Sequence, residues 1–213
     1  MESQEKLAKL AEYVRLTWDR GLTESTGGNM SVRINDKIYI TPTFFVKHFF
    51  TVDDFVTLNL KGEQIGGKLN ASSEYRMHIR IYNERKDIKS IFHAHPKWAT
   101  IYSVSHKKIS TRILPETLFM LGGIEYIPYC MPGTDEFADG FIKGLKKGRN
   151  AFMLFNHGIT TCGETIEQAF ARLETFETCC YISAHTGMLN QDINLISEKE
   201  SNKLLKKLGI KYD

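Results

Sequence analysis

What this chain lacks narrows its roles first. It contains no run of about eighteen apolar residues, the minimum for a spanning helix. Its opening residues, Met1-Glu2-Ser3-Gln4-Glu5-Lys6, hold no apolar signal core, so no membrane partner is expected. Cysteine is scarce: there are four (Cys130, Cys162, Cys179, Cys180), with no Cys-x-x-Cys pair and two of them adjacent. That usage fits a reducing cytoplasm, with cysteine serving as a small buried hydrophobe. Excess charge is missing too, since 28 Lys and Arg against 25 Asp and Glu leave only +3. The local basic clusters at 143–149 and 203–211 are not interleaved with stacking aromatics, so no nucleic-acid partner is expected. Repeats and low-complexity segments are absent. With 42% hydrophobic and 25% charged residues, 1–213 reads as one globular domain with a full core.

Periodicity predicts the elements. Leu7, Leu10, Ala11, Val14 and Trp18 recur at helical spacing and predict a helix over 6–18, ended by Gly21. A loop of hydroxyls and glycines, Thr23-Glu24-Ser25-Thr26-Gly27-Gly28-Asn29, leads into a strand at 30–34 and its hairpin return at 37–41. Glycines there let backbone N–H groups converge on an anion, a plain turn being the alternative. A second strand pair follows, turned at Lys61-Gly62-Glu63. Asn70-Ala71-Ser72-Ser73-Glu74 reads as a helix start with Ser72 or Ser73 as N-cap, and Met77, Ile81 and Tyr82 as the inward stripe. A helix N-terminus carrying two serines favours an anion by geometry and dipole. Further helices are predicted at 97–103, 137–145, 164–187 and 198–208, with strands at 88–92, 124–128, 150–155 and 159–162. Hairpins mixed with helices in this way predict an α/β sandwich, its mainly antiparallel central sheet flanked by helices.

The chemistry concentrates at Phe92-His93-Ala94-His95-Pro96. Residues i and i+2 of a strand point the same way, so both imidazoles project together from a strand end. Two neutral imidazoles suit zinc, which needs at least one more protein ligand; solvent-facing or satisfied core histidines are the alternative. A third histidine, His157, follows the apolar strand at 150–155, and Glu74 sits at a helix start.

Five motifs, in order, carry a resemblance over nearly the whole chain. They are Gly-Gly-Asn-Met-Ser at 27–31, Thr-Pro-Thr at 41–43, Ser-Ser-Glu at 72–74, His-Ala-His-Pro at 93–96 and Asn-His-Gly at 156–158. Together they resemble the class II aldolase/adducin family, and within it the fuculose-phosphate aldolase group. The resemblance implies an α/β, class II aldolase-like sandwich and one Zn2+ per subunit, held by His93, His95 and His157. Glu74 is then the proton-transfer base, and Gly28, Asn29, Thr43, Ser72 and Ser73 grip the phosphate of a small sugar-phosphate substrate. It also implies a homotetramer with active sites between subunits.

A second acid/base is expected at the substrate's C4 hydroxyl, where fuculose enzymes offer a tyrosine from the neighbouring subunit. The corresponding neighbourhood here carries Glu116, which otherwise reads as a solvent-facing carboxylate after Pro115; Tyr212, near the end of the chain, is the other candidate. Relatives that dehydrate a thioether-bearing ketose phosphate use a glutamate in about that region, so a dehydratase stands beside the aldolase. Pentulose-phosphate 4-epimerases carry aspartate after the two serines, and Glu74 argues against them. A non-catalytic, adducin-like binding module is the remote alternative. Phe44 departs from the aldolases, which usually have glycine there and use its N–H for phosphate.

Overall fold

A computed structural model describes residues 2–189 and 192–209. Eight strands of three to six residues hydrogen-bond into one sheet. They are β1 (Asn29–Ile34), β2 (Lys37–Ile40), β3 (Val56–Asn59), β4 (Gln64–Gly66), β5 (Ser90–Ala94), β6 (Ile124–Ile127), β7 (Ala151–Leu154) and β8 (Gly158–Gly163). Their spatial order is β4-β3-β2-β1-β5-β8-β7-β6, and every neighbouring pair is antiparallel except β6 with β7.

Helices cover both faces of this sheet, which is why the central strands are buried along their whole length. On one face lie α2 (Tyr75–Glu84), α5 (Asp135–Asp139) and α6 (Ile142–Lys146), packing Met77, Ile81, Tyr82, Phe137, Phe141 and Leu145 onto Ile38, Ile91, Phe152 and Cys162. The other face receives α1 (Glu2–Asp19), α3 (Lys97–Ser105), α4 (Pro115–Leu121) and α7 (Ile166–Met188). Leu10, Val14, Leu173 and Phe176 meet Met30, Phe92, Met153 and Ile159 there. A last helix, α8 (Glu198–Lys207), rests on α4. No helix among the described residues is long and apolar enough to cross a membrane. The four cysteines are unpaired, and three of them are buried.

Register decides where the chemistry sits. Asn29 of β1 pairs with His93 of β5, and His93 pairs with Thr160 of β8, so these three side chains share one row on the α2 face. Gly28 makes the approach of β1 possible. Its φ is +68°, and a Cβ there would lie 2.5 Å from the His93 carbonyl oxygen.

Two expectations need correction. The helix predicted over 137–145 is two short helices: Gly140 and Phe141 keep helical φ/ψ, but the hydrogen bonds there tighten to three-residue spacing (Phe141 N–H to Ala138 O, 3.3 Å), and a Cβ on Gly140 would meet Ile127 at 2.9 Å. Neither Ser72 nor Ser73 is the N-cap of α2; that position is Glu74, and its side chain makes no capping bond. Ser72 instead stabilises the turn before the helix, its Oγ accepting from the Glu74 N–H at 3.3 Å. The carboxylate of Glu74 is thereby free to point elsewhere.

Candidate active site

Two separated segments bring the histidines together. His93 lies inside β5 and is fully buried, and His95 follows one residue beyond the strand. His157 sits in the tight β7–β8 turn, where Asn156 takes the left-handed conformation (φ 56°) that asparagine tolerates better than most residues. The His157 N–H donates to Leu154 O at 3.1 Å and lies 3.0 Å from Ser103 Oγ, so α3 helps fix the turn. One ligand atom from each of the three rings falls within 4.8 Å of the others.

The donor chemistry at this point fits a cation. His93 Nδ1 donates to Ile159 O at 3.0 Å, and His95 Nδ1 donates to the Glu24 carboxylate at 2.8 Å. In a neutral ring the proton is then spent, and Nε2 carries a lone pair. Those two Nε2 atoms face each other at 3.2 Å, two acceptors with no hydrogen between them. Glu74 adds its carboxylate, Oε2 lying 3.3 Å from His93 Nε2 and Oε1 3.4 Å from His157 Nε2. Glu74 Oε1 and His157 Nδ1 are buried without a hydrogen-bond partner among the described residues. A divalent ion resolves this crowding of lone pairs, and the set of three imidazoles beside one carboxylate is that of an open, catalytic site. Each Nδ1 that donates to a carbonyl or carboxylate fixes its ring, as metal-bound histidines require.

Burial tunes the groups in the same direction. It drives the His93 ring well below its usual range and lowers His157 to about 4, so both stay neutral and basic toward a metal. Burial also raises the Glu74 carboxyl, partly offset by the hydrogen bond from Asn29 Nδ2 at 2.6 Å. The Glu24 carboxyl is held below its ordinary range chiefly by its bond to His95.

Beside the histidines opens a cleft of about 240 Å³ lined by Gly28, Asn29, Thr43, Phe44, Ser72, Ser73, Glu74 and His95, among others. All five residues expected to grip phosphate therefore border one space, with Glu74 at its edge. Asn29 is more committed than its expected role implies. Its Nδ2 donates to Glu74 and its Oδ1 accepts from His78, leaving one N–H for a ligand. Phe44, 84% exposed at the rim, adopts φ 51°, an unusual conformation for a bulky residue. Glu116 does not line the cleft. It lies exposed on the first turn of α4, in the layer across the sheet from α2. Tyr212 is outside the described residues.

Three residues at or behind the site had no sequence signal that marked them. Glu24 was one polar residue in a polar loop. His78 looks like any helix residue, although it stands four positions after Glu74. Lys47 is fully buried, donating to the carbonyls of Thr26 (3.3 Å) and Phe45 (3.1 Å) behind the cleft loops.

This geometry gives the comparisons with known proteins their meaning. A profile for the Class II Aldolase and Adducin N-terminal domain matches residues 8–184. The chain belongs to that family. Relatives named as aldolases support the same reading over most of their length. The chain is 33% identical over 171 residues to an L-fuculose phosphate aldolase of Methanococcus maripaludis, covering 80% of this chain and 92% of that protein. It is 31% identical over 211 residues to a 5-deoxy-D-ribulose 1-phosphate aldolase of Bacillus thuringiensis, covering 96% and 95%. A solved L-fuculose 1-phosphate aldolase superposes with a TM-score of 0.87 at 26% identity, covering 97% of each chain. This class II aldolase-family chain is thus an enzyme of the metal-dependent aldehyde-lyase kind, and its histidine cluster fits the divalent ion that such enzymes use.

Proposed function

We propose that the chain is a zinc-dependent aldolase that reversibly cleaves a short deoxyketose 1-phosphate into dihydroxyacetone phosphate and a small aldehyde. The observation that carries the reading is the meeting of three imidazoles with the Glu74 carboxylate at the edge of a cleft lined by Gly28, Asn29, Thr43, Ser72 and Ser73. His93, His95 and His157 hold the metal, which when bound supplies Lewis-acid stabilisation of negative charge on the substrate's oxygens. The cleft holds the phosphate with neutral donors, the hydroxyls of Thr43, Ser72 and Ser73 and the remaining Asn29 N–H, so its contribution is orientation. Glu74 delivers a proton to C3 of the three-carbon fragment as the C3–C4 bond breaks, and takes that proton back in synthesis. Its burial suits the work, since a carboxyl raised toward neutrality exchanges protons readily at physiological pH.

The second acid/base acts at the C4 hydroxyl. Glu116 takes this role from a neighbouring subunit, with Tyr212 as the other candidate. Glu116 is exposed and away from its own cleft, so this role requires a homotetramer with active sites between subunits. The exposed Phe44 at the rim offers such an assembly an apolar contact. The relatives' names divide between fuculose and deoxyribulose phosphates, and both belong to the proposed substrate class. The deciding experiment presents a panel of ketose 1-phosphates and measures released dihydroxyacetone phosphate with and without a chelator. Chelator-sensitive release from at least one deoxyketose 1-phosphate is expected. Release from none, or release indifferent to chelation and zinc readdition, overturns the proposal.

A further inference from the structure

Beneath the carboxylate of Glu74 runs a buried chain of short hydrogen bonds. Asn29 Nδ2 lies 2.6 Å from Glu74 Oε2, and Asn29 Oδ1 lies 2.6 Å from His78 Nε2. His78 Nδ1 is 2.7 Å from Ser31 Oγ, which is 2.7 Å from the Tyr82 hydroxyl. All five residues are buried: Asn29 and Ser31 stand on the same face of β1, and His78 and Tyr82 are one helical turn apart on α2. The chain therefore bridges strand and helix directly behind the candidate proton carrier.

Its polarity follows from elementary bookkeeping. A carboxylate only accepts, so the amide nitrogen of Asn29 must face Glu74, which turns Oδ1 toward His78. His78 Nε2 must then carry the ring proton. Burial lowers His78 to about 3, so the ring holds only that one proton and Nδ1 is an acceptor. Ser31 spends its hydroxyl proton on Nδ1, and the Tyr82 phenol, which burial keeps protonated, donates to Ser31 at 2.7 Å, the Lys89 carbonyl oxygen being a longer acceptor at 3.4 Å. Every donor in the chain points toward Glu74, and no bond can reverse unless all do.

We propose that His78 is a positioning residue that, through Asn29, holds the Glu74 carboxylate by Oε2 and leaves Oε1 turned toward His157 Nε2, 3.4 Å away. The inference rests on the reading of Glu74 as the proton carrier. A carboxylate hanging from the start of α2 without a capping bond has freedom to rotate; the one-directional chain removes it. It also dictates the tautomer of His78 independently of any activity. The same oxygen that accepts from Asn29 is the one 3.3 Å from His93 Nε2, so a slack Asn29 would loosen the carboxylate at both ends.

Two measurements test this separately. Side-chain 15N resonances of the resting protein should show His78 as the neutral Nε2–H tautomer, unchanged from about pH 5 to about pH 8. An Nδ1–H tautomer, or an ionised ring, would overturn the chain as described, whatever the enzyme's substrate. The second arm follows exchange of the C3 proton of dihydroxyacetone phosphate into solvent, in zinc-loaded protein. His78→Phe fills a similar volume without a donor and should lower the maximal exchange rate roughly 10- to 100-fold, leaving bound zinc nearly unchanged and raising half-saturation by a smaller factor, since Asn29 also offers an N–H to the phosphate. His78→Gln places an amide N–H near the lost Nε2–H and should recover most of the rate. Equal rates in wild type and His78→Phe, or a Gln variant no better than Phe, would refute a positioning role. Absence of exchange in the wild type itself would instead strike at the parent reading of Glu74 and take this role with it, and the tautomer result tells those failures apart.

Discussion

Gly158 and His95 meet without room for a methyl group. A Cβ on Gly158 would stand 2.6 Å from Cδ2 of the His95 ring and 2.5 Å from the carbonyl oxygen of Ala94. The ring can swing, but the carbonyl belongs to β5 and cannot move without opening its pairing with β8. Gly158→Ala should therefore cost about 1–3 kcal/mol by overpacking and weaken metal binding as His95 is displaced. Urea unfolding of the metal-free protein and a zinc titration measure the two effects. A variant with unchanged zinc affinity would show that the close contact does not place the ring.

Metal removal should be visible in stability as well as in turnover. A ligand bound only by the folded state stabilises it, by roughly 3 to 4 kcal/mol once free zinc exceeds its Kd about a hundred to a thousand times. Chelation should lower the melting temperature accordingly, and zinc should restore it. In His157→Ala the zinc-dependent shift should nearly vanish, since two imidazoles make a poor site. Differential scanning calorimetry with and without chelator reads this directly.

The carboxylates divide by burial. Glu74 is 7% exposed within the cluster, whereas Glu116 is exposed on α4. Glu74→Gln should keep the fold and bound metal but slow proton exchange at C3 of dihydroxyacetone phosphate by about a hundredfold or more. Glu116→Gln should leave stability within about 0.5 kcal/mol, as exposed substitutions do, while lowering aldol cleavage with little change in that exchange. Unaltered cleavage kinetics in Glu116→Gln would return this residue to the solvent-facing role and shift attention to Tyr212.

Lys47 offers a pH signature outside the metal cluster. Its ammonium is fully buried, bonded to two carbonyls, and burial lowers it from 10.5 to about 8, against a small opposing pull from Glu24. Between those two values the unfolded chain binds a proton that the folded one has lost, so stability rises with pH there. Relative to Lys47→Met, wild type should gain about 2 kcal/mol between about pH 8 and about pH 10. At neutral pH the same substitution removes the positive charge behind the cleft and should raise KM for a phosphorylated substrate several-fold. Parallel stability curves for the two proteins would mean that Lys47 does not titrate in this window.

Much of this molecule is legible in local pattern. The apolar stripe of Leu10, Ala11 and Val14 specified α1, and strand alternation in His93-Ala94-His95 placed two imidazoles on one side. The order of five short motifs sufficed for the family. Folding was needed for the rest. Asn29 finds Glu74 45 positions away, and His95 finds Glu24 71 positions away, because β5 and the turns around it hold those segments side by side. The burial of Lys47 and the division of 137–145 at Gly140 likewise depend on what packs against them. Local periodicity reports which way a side chain faces along its own element. Which partner waits there is set by strand register and helix packing, and those are properties of the whole sheet.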